Sequence, residues 1–294
     1  MMKSHSLSDK LADGLIALVL GGAALLSLYP IWYTVAVSLS SSAAAAGGLV
    51  KLWPVQFTLQ AYRTIMDDPA FFRAFGVSLQ RVGLGALINF VLTVLMAYPL
   101  SKSAAQFSGR NVYMWFVVFT MLFSGGLIPW YLTIKEYELL NTIWALVLPG
   151  AVPVFNVILT VNFFRSLPRE LEEAGYMDGA GPWYVLWNIF VPLSAPVLAT
   201  VTLFSIVGHW NSFFDGLILI SNPEKYPLQT YVQQMVVRFS TESMTPDQLK
   251  NLGELSNRTL NAAKIFVTML PVLLIYPFLQ RFFIHGIMLG SVKE

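Results

Sequence analysis

Cysteine is absent from the 294 residues. That excludes disulfides and thiolate chemistry, though it leaves the compartment of the loops open. Charge is also scarce, at 12% of residues, where a soluble domain carries about a quarter. The net charge of +2 is too small to suggest a nucleic-acid partner. Histidine occurs only three times, as His5, His209 and His285, far apart and without HExxH or similar ligand spacing. No phosphate-binding loop of the form GxxxxGK followed by Ser or Thr occurs either. If nucleotide energy drives this protein, another chain must bind the nucleotide.

What is there is mostly hydrocarbon. Hydrophobic residues make up 56% of the chain, and the mean hydropathy is +0.63, which points to lipid as the solvent. Aromatics at 14% fit that reading, because Trp and Tyr collect at membrane interfaces. A span needs about 20 mostly apolar residues. Six segments meet this: Leu15–Ser38, Phe75–Leu100, Val112–Ile134, Thr142–Phe164, Leu193–Ile220 and Ile265–Ile284. The chain therefore reads as one all-α, six-span transmembrane domain over residues 1–294. Pro149, Gly150 and Pro153 interrupt the fourth segment. Membranes tolerate such breaks only where neighbouring helices or water satisfy the freed backbone groups, so a packed bundle is expected. Gly125, Gly126 and Pro129 in "FSGGLIPWY" disrupt the outer part of the third segment, as a kink or packing site, or as a gate or hinge.

Lys3 and Lys10 before the first apolar run, with "SSAAAAGG" (Ser41–Gly48) after it, imitate a signal peptide. The run exceeds the roughly 7–15 residues of a signal core, so it reads as a retained span. Basic residues set orientation through the short loops. Lys102 and Arg110 lie in "SKSAAQFSGRN", Lys3 and Lys10 before the first span, Arg165 and Arg169 after the fourth, and Arg281 and Lys293 near the C-terminus. With six spans all of these fall on one side, which predicts cytoplasmic termini. The longer loops, Ser40–Ala74 and Ser221–Lys264, then lie outside. The second holds "TESMTPDQLKNLGELSNRT", in which Pro246 after Thr245 opens a short helix. That loop reads either as a cap over the bundle mouth or as a docking surface.

The passage "LPRELEEAGYMDGAGPWYVLWNIFVPLSAP" breaks the apolar pattern. Pro168 suits a helix's first turn, and Glu170, Glu172 and Glu173 favour its positive end. Gly179 is free to adopt the left-handed conformation that ends helices. Pro182 starts a second helix, and Pro192 marks the joint with the fifth span. The result is a cytoplasmic helix–turn–helix, acidic on one limb and aromatic on the other. As an alternative it could lie flat on the membrane, but anionic lipid would repel its acids.

These residues resemble the "EAA" loop of permease subunits of binding-protein-dependent ABC importers: E-A-A, three residues, Gly, nine residues, then I-x-L-P. Here stand Glu173-Ala174-Gly175, then Tyr176-Met177-Asp178, Gly179, and after nine residues Ile189-Phe190-Val191-Pro192. Gly175 and Val191 depart from the pattern, and a glycine would loosen the first limb. "ELEEAGYMDGAGPW" and "GIMLGSVKE" are similar to the carbohydrate-uptake, maltose-permease side of that family. "LFSGGLIPWYLTIKEYELLNTIWALVLPGAVPVFNVIL" resembles permeases of complex, often acidic oligosaccharides such as aldouronates. The resemblance implies a bacterial cytoplasmic-membrane permease that imports an oligosaccharide by alternating access. Its implied partners are a homologous second permease, two copies of a cytoplasmic ATPase and an extracytoplasmic solute-binding protein. ATP and Mg2+ would sit on the ATPase, with no cofactor in this chain. Glu173 would pair with a basic group of the ATPase, Gly179 would make the turn, Ala174 and Ala180 would allow close approach, and Tyr176 and Met177 would fill apolar pockets.

Within the spans, "GHWNSFFDG" places His209, Asn211 and Asp215 in the fifth segment. Intramembrane polar groups mark either interhelical hydrogen bonds or a substrate path, with Asp215 near the outer interface. On the second reading His209 and Asn211 line a sugar path, Trp210 or Phe213 stacks on a pyranose ring, and Asn89 and Asn156 are further candidates. An ion-coupled secondary transporter would place acids or bases at the midplane, where these spans hold almost none. A polytopic membrane enzyme would need converging catalytic groups, which three scattered histidines do not supply.

Overall fold

The computed structural model describes residues 7–241 and 257–291, and among them every regular element is helical. In chain order these are α1 (Leu7–Ser38), α2 (Ser42–Ala46), α3 (Gln60–Met66), α4 (Pro69–Ser101), α5 (Arg110–Leu122), α6 (Leu127–Glu136) and α7 (Ile143–Val147). Then follow α8 (Val154–Ser166), α9 (Arg169–Met177), α10 (Pro182–Tyr184), α11 (Val191–Leu193), α12 (Ala195–Asn211), α13 (Phe214–Leu219), α14 (Leu228–Thr241) and α15 (Asn257–Ser291). The helix expected at Pro246 lies outside the described residues.

Among the described residues, three helices are long and apolar enough to cross a membrane: Leu11–Ser38 within α1, all of α4, and Arg258–Ile275 within α15. Three bent pairs raise the number to six if each pair is one span. They are α5 with α6, bent by 113°, residues 143–150 with α8, by 44°, and Pro182–Leu193 with α12, by 84°. The third span, expected to be disrupted in its outer part, and the fifth, expected to be continuous, are both broken. The third stops at Leu122, because Phe123 is extended and Gly126 takes φ 85°. At 13 residues, α5 is about 20 Å long and too short to cross a core of roughly 30 Å alone. The fifth ends at Asn211, where Ser212 turns extended (ψ 127°), and resumes as α13.

The described residues fall in two compact units, one within residues 1–69 and 235–270, the other within 70–234 and 271–294. In the first, Ser41 caps α2 and Ala44 and Ala45 bury against Ala36, Val37 and Ala262. Lys264, buried in α15, pairs with Asp68 at 2.8 Å. None of the apolar window of α1 is buried.

The second unit carries the site. Its core joins Val94 and Ala97 of α4, Val157, Val161 and Phe164 of α8, and Val197, Leu198 and Val201 of α12. Val185, Leu186 and Phe190 belong to the same core. They come from a π-helical turn over Val185–Phe190 that joins α10 to α11. The second limb of the helix–turn–helix is therefore rooted in the bundle.

Candidate functional site

Two constellations stand at opposite ends of the second unit. The first is the helix–turn–helix. Pro168 precedes α9 instead of opening its first turn, and Glu170 and Glu172 occupy that turn. The helix ends in a Schellman motif: Gly179 N donates to Tyr176 O and Ala180 N to Gly175 O, with Gly179 at φ 80°. Only glycine takes that conformation without strain. The reversed chain lays α9 on the π-helical turn, with Gly175 buried and facing Ile189 and Val185. Ala180 and Ile189 pack on the core, so both serve the loop's own fold. Gly175, expected to loosen the limb, is buried where the two limbs meet, with little room for a side chain. Pro192 is exposed beside the 84° bend.

The acids divide in two. Glu172 pairs with Lys102 of the α4–α5 turn at 2.7 Å, and the Lys102 ammonium lies 3.8 Å and 4.4 Å from the ring centres of Tyr98 and Phe190. Burial pushes the Lys102 pKa below the usual lysine range, while the hydrogen bond and charge of Glu172 pull it back. Tyr176 adds a 3.4 Å hydroxyl contact to Tyr98. Glu173, Ala174, Met177 and Asp178 remain exposed, Met177 by 87%. Trp183 and Tyr184 extend this outward face.

The second constellation is a cavity of about 450 Å³ among α4, α6, the α7–α8 break and α12. Roughly 18 Å of α4 separate Asn89 from the Ser101 end. Asn89 explains how a broken span is tolerated. Its Nδ2 donates to Gly150 O at 2.7 Å and Ala151 O at 2.9 Å, satisfying carbonyls that the break exposes. Its Oδ1 lies 2.8 Å from His209 Nε2, so that nitrogen carries the proton when the amide oxygen accepts. Asn156 Nδ2 donates to Val201 O at 3.1 Å and Ser205 Oγ at 3.2 Å.

Arg81 and Asp215 complete this lining. Both terminal guanidinium nitrogens donate to the Asp215 carboxylate, and Nη1 also reaches Ser212 O at 3.3 Å. Asp215 further accepts from Ser212 Oγ and Gly216 N, so the pair holds the break between α12 and α13. Arg81 is 3% exposed and Asp215 19%. Arg81 Nε is buried without a hydrogen-bond partner.

Of the residues expected on a substrate path, His209, Asn89 and Asn156 meet in this cavity, whereas Trp210, Asn211 and Phe213 do not line it. Trp210 is buried against Phe75 at 5.7 Å between ring centres. The aromatic side chains at the cavity include Trp130, from the "FSGGLIPWY" break, and Phe204 of α12. Arg81 and Trp130 were missed. A lone arginine inside an apolar segment was the available signal.

An all-helical bundle with broken spans, a surface helix–turn–helix and a polar cavity defines a membrane permease. Residues 84–288 match the family of binding-protein-dependent transport system inner membrane components, and the chain belongs to it. It is 41% identical over 276 residues to Protein LplC of Bacillus subtilis (strain 168), covering 94% of this chain and 92% of that one. It is 36% identical over 287 residues to the polygalacturonan/rhamnogalacturonan transport system permease protein YtcP of the same organism, covering 98% and 100%. Among solved structures it resembles a chain of a bacterial ABC transporter involved in the import of the acidic polysaccharide alginate. The TM-score is 0.86 and the identity 33%, over 96% of this chain and 100% of that chain. The protein is a multi-pass inner-membrane permease of the carbohydrate-uptake branch, and ATP hydrolysis belongs to a separate subunit.

Proposed function

We propose that this chain is one of two non-identical transmembrane subunits of an ATP-driven importer, with its termini and helix–turn–helix on the cytoplasmic side. The exposed face of α9, Glu173 with Ala174, Met177 and Asp178, seats in the ATPase, which occurs in two copies and holds ATP and Mg2+. A second, homologous permease and an extracytoplasmic binding protein complete the assembly. The observation that carries this reading is the division of α9: its inner face is packed and ion-paired, while its outer face offers the carboxylates of Glu173 and Asp178 and the apolar side chains of Ala174 and Met177 to another protein. Closure of the ATPases swings the loop, and the limb rooted through Phe190 in the core passes that motion to α4, α8 and α12 as rigid-body alternating access.

The cargo is an oligosaccharide that passes the cavity of Asn89, Asn156, His209 and Trp130, whose amides and ring suit hydroxyls and a pyranose face. Similarity to a polygalacturonan/rhamnogalacturonan transport system permease and to a transporter involved in the import of the acidic polysaccharide alginate favours an acidic sugar.

Glu173→Lys and Gly179→Pro test the coupling role. Proline cannot take φ 80°, and lysine reverses the charge offered to a basic partner. Both variants should reach the membrane yet lose ATPase co-purification and uptake, and normal uptake by both would refute the assignment. For the cargo, the purified assembly with its binding protein should hydrolyse ATP faster with uronate oligosaccharides than with neutral ones of equal length.

A further inference from the structure

A second cavity, of about 360 Å³, opens where the α4–α5 turn meets the last turn of α8 and the first of α9. Its lining includes Lys102, Arg110, Arg165, Arg169, Glu172 and Glu173. Lys102 and Glu172 neutralise one another, which leaves three arginines facing one carboxylate. Among the described residues neither Arg110 nor Arg165 has a carboxylate within ion-pair distance. Arg110 spends its donors on Lys102 O and the Asn111 amide oxygen, and Arg165 donates to Leu100 O at 2.7 Å. The two guanidinium charges are close enough to act on each other unfavourably. Two unneutralised cations held together in a pocket favour an anion with several acceptor oxygens, and the planar fork of arginine matches phosphate.

The surroundings identify the source. The cavity lies where the apolar stretch of α4 ends at Ser101 and α5 begins at Arg110. Directly beyond, Val112, Trp115 and Phe116 of α5 are exposed. An amphiphile can place a phosphate among the arginines and its acyl chains along that face. Basic pockets between transmembrane helices bind anionic headgroups in this way. We propose that this cavity seats the phosphate of an anionic phospholipid. Glu173 borders both this cavity and the outward face of α9, so the lipid site adjoins the proposed ATPase contact, and the two are told apart by reading lipid retention and ATPase co-purification separately.

The test uses the assembled importer in phosphatidylcholine nanodiscs, with bound lipid read by native mass spectrometry as phosphatidylglycerol is titrated in. The intact protein should retain phosphatidylglycerol selectively. Arg110→Gln/Arg165→Gln should weaken it about thirtyfold, from roughly fivefold per cation, and Arg110→Lys/Arg165→Lys should keep most of it, since ammonium groups still attract the headgroup. Unchanged retention in the glutamine variant would overturn the proposal. Displacement of the lipid by millimolar inorganic phosphate would overturn the lipid source. Loss of ATPase co-purification with lipid retention intact would assign the cavity to a protein contact instead.

Discussion

Glu173 and Asp215 are both carboxylates of one helical unit, and they live under opposite rules. Glu173 stands exposed on α9 beside Met177 and Asp178. Asp215 is held by Arg81, Ser212 and Gly216. The loop keeps its outward polar groups unspent, whereas the cavity spends nearly all of its own internally, down to the Asn89 amide on the carbonyls of a broken span. The difference separates a surface with polar groups still open to a partner from a polar interior whose groups satisfy one another. If the proposed sugar path runs through that interior, an entering hydroxyl would have to replace hydrogen bonds already made, and selectivity would rest on which internal pair yields.

That contrast breaks most sharply at the two acids. Asp215→Ala strands the Arg81 guanidinium, 3% exposed and with Nε already unpartnered. Removing one partner of a buried pair costs about 3–5 kcal/mol. A large fall in the melting midpoint of detergent-purified protein is expected, together with loss of uptake. Glu173→Ala should leave stability within about 0.5 kcal/mol, as exposed substitutions do, while uptake falls. Equal melting midpoints for both variants would dissolve the distinction between the two ends.

A smaller effect tests how closely the helices of the cavity meet. A Cβ on Gly85 would collide with the His209 imidazole at Nε2. Gly85→Ala therefore pushes the imidazole off Asn89 or separates α4 from α12, at about 1–3 kcal/mol for overpacking. Gly83 is the control, because its added Cβ meets nothing within 4 Å, and alanine there gains helix propensity. Comparable loss of thermal stability in both would show that the close approach is not what holds this site.

The two regions were unequally legible for the same reason that they differ. The helix–turn–helix is contiguous, and its glycine turn, proline starts and acids follow local rules that act within a few residues. Gly179 at φ 80° and the limb begun at Pro182 match their expectations. The cavity is assembled from residues as distant as Arg81 and Asp215, so its polar members were visible singly but not as a set. Asn211 and Phe213 were expected on the path because a continuous fifth span would have carried them there. The chain breaks at Ser212 instead, where Asp215 gathers hydrogen bonds that an uninterrupted helix would not offer. The third-span break was legible, because Gly125, Gly126 and Pro129 are local signals, and the chain turns where Gly126 takes φ 85°; the size of the bend, 113°, was not.

The finest comparison lies inside the loop, at the residue that departs from E-A-A. Gly175 is buried in α9, and a Cβ there would come 2.9 Å from Ile189 Cδ1 and 3.4 Å from Val185 Cγ2. Both are side-chain atoms, and the nearer is the tip of a flexible chain that can rotate. Alanine would gain roughly 0.8–1 kcal/mol of helix propensity, offset by crowding of similar size. Gly175→Ala should thus change the melting midpoint little and leave uptake near that of the unmodified protein. Gly175→Ala/Ile189→Val, which removes the crowded methyl, should be the more stable of the two. If Gly175→Ala alone abolished uptake and the double variant restored it, the limb-to-limb spacing, and not the outward carboxylate, would be the quantity that coupling transmits.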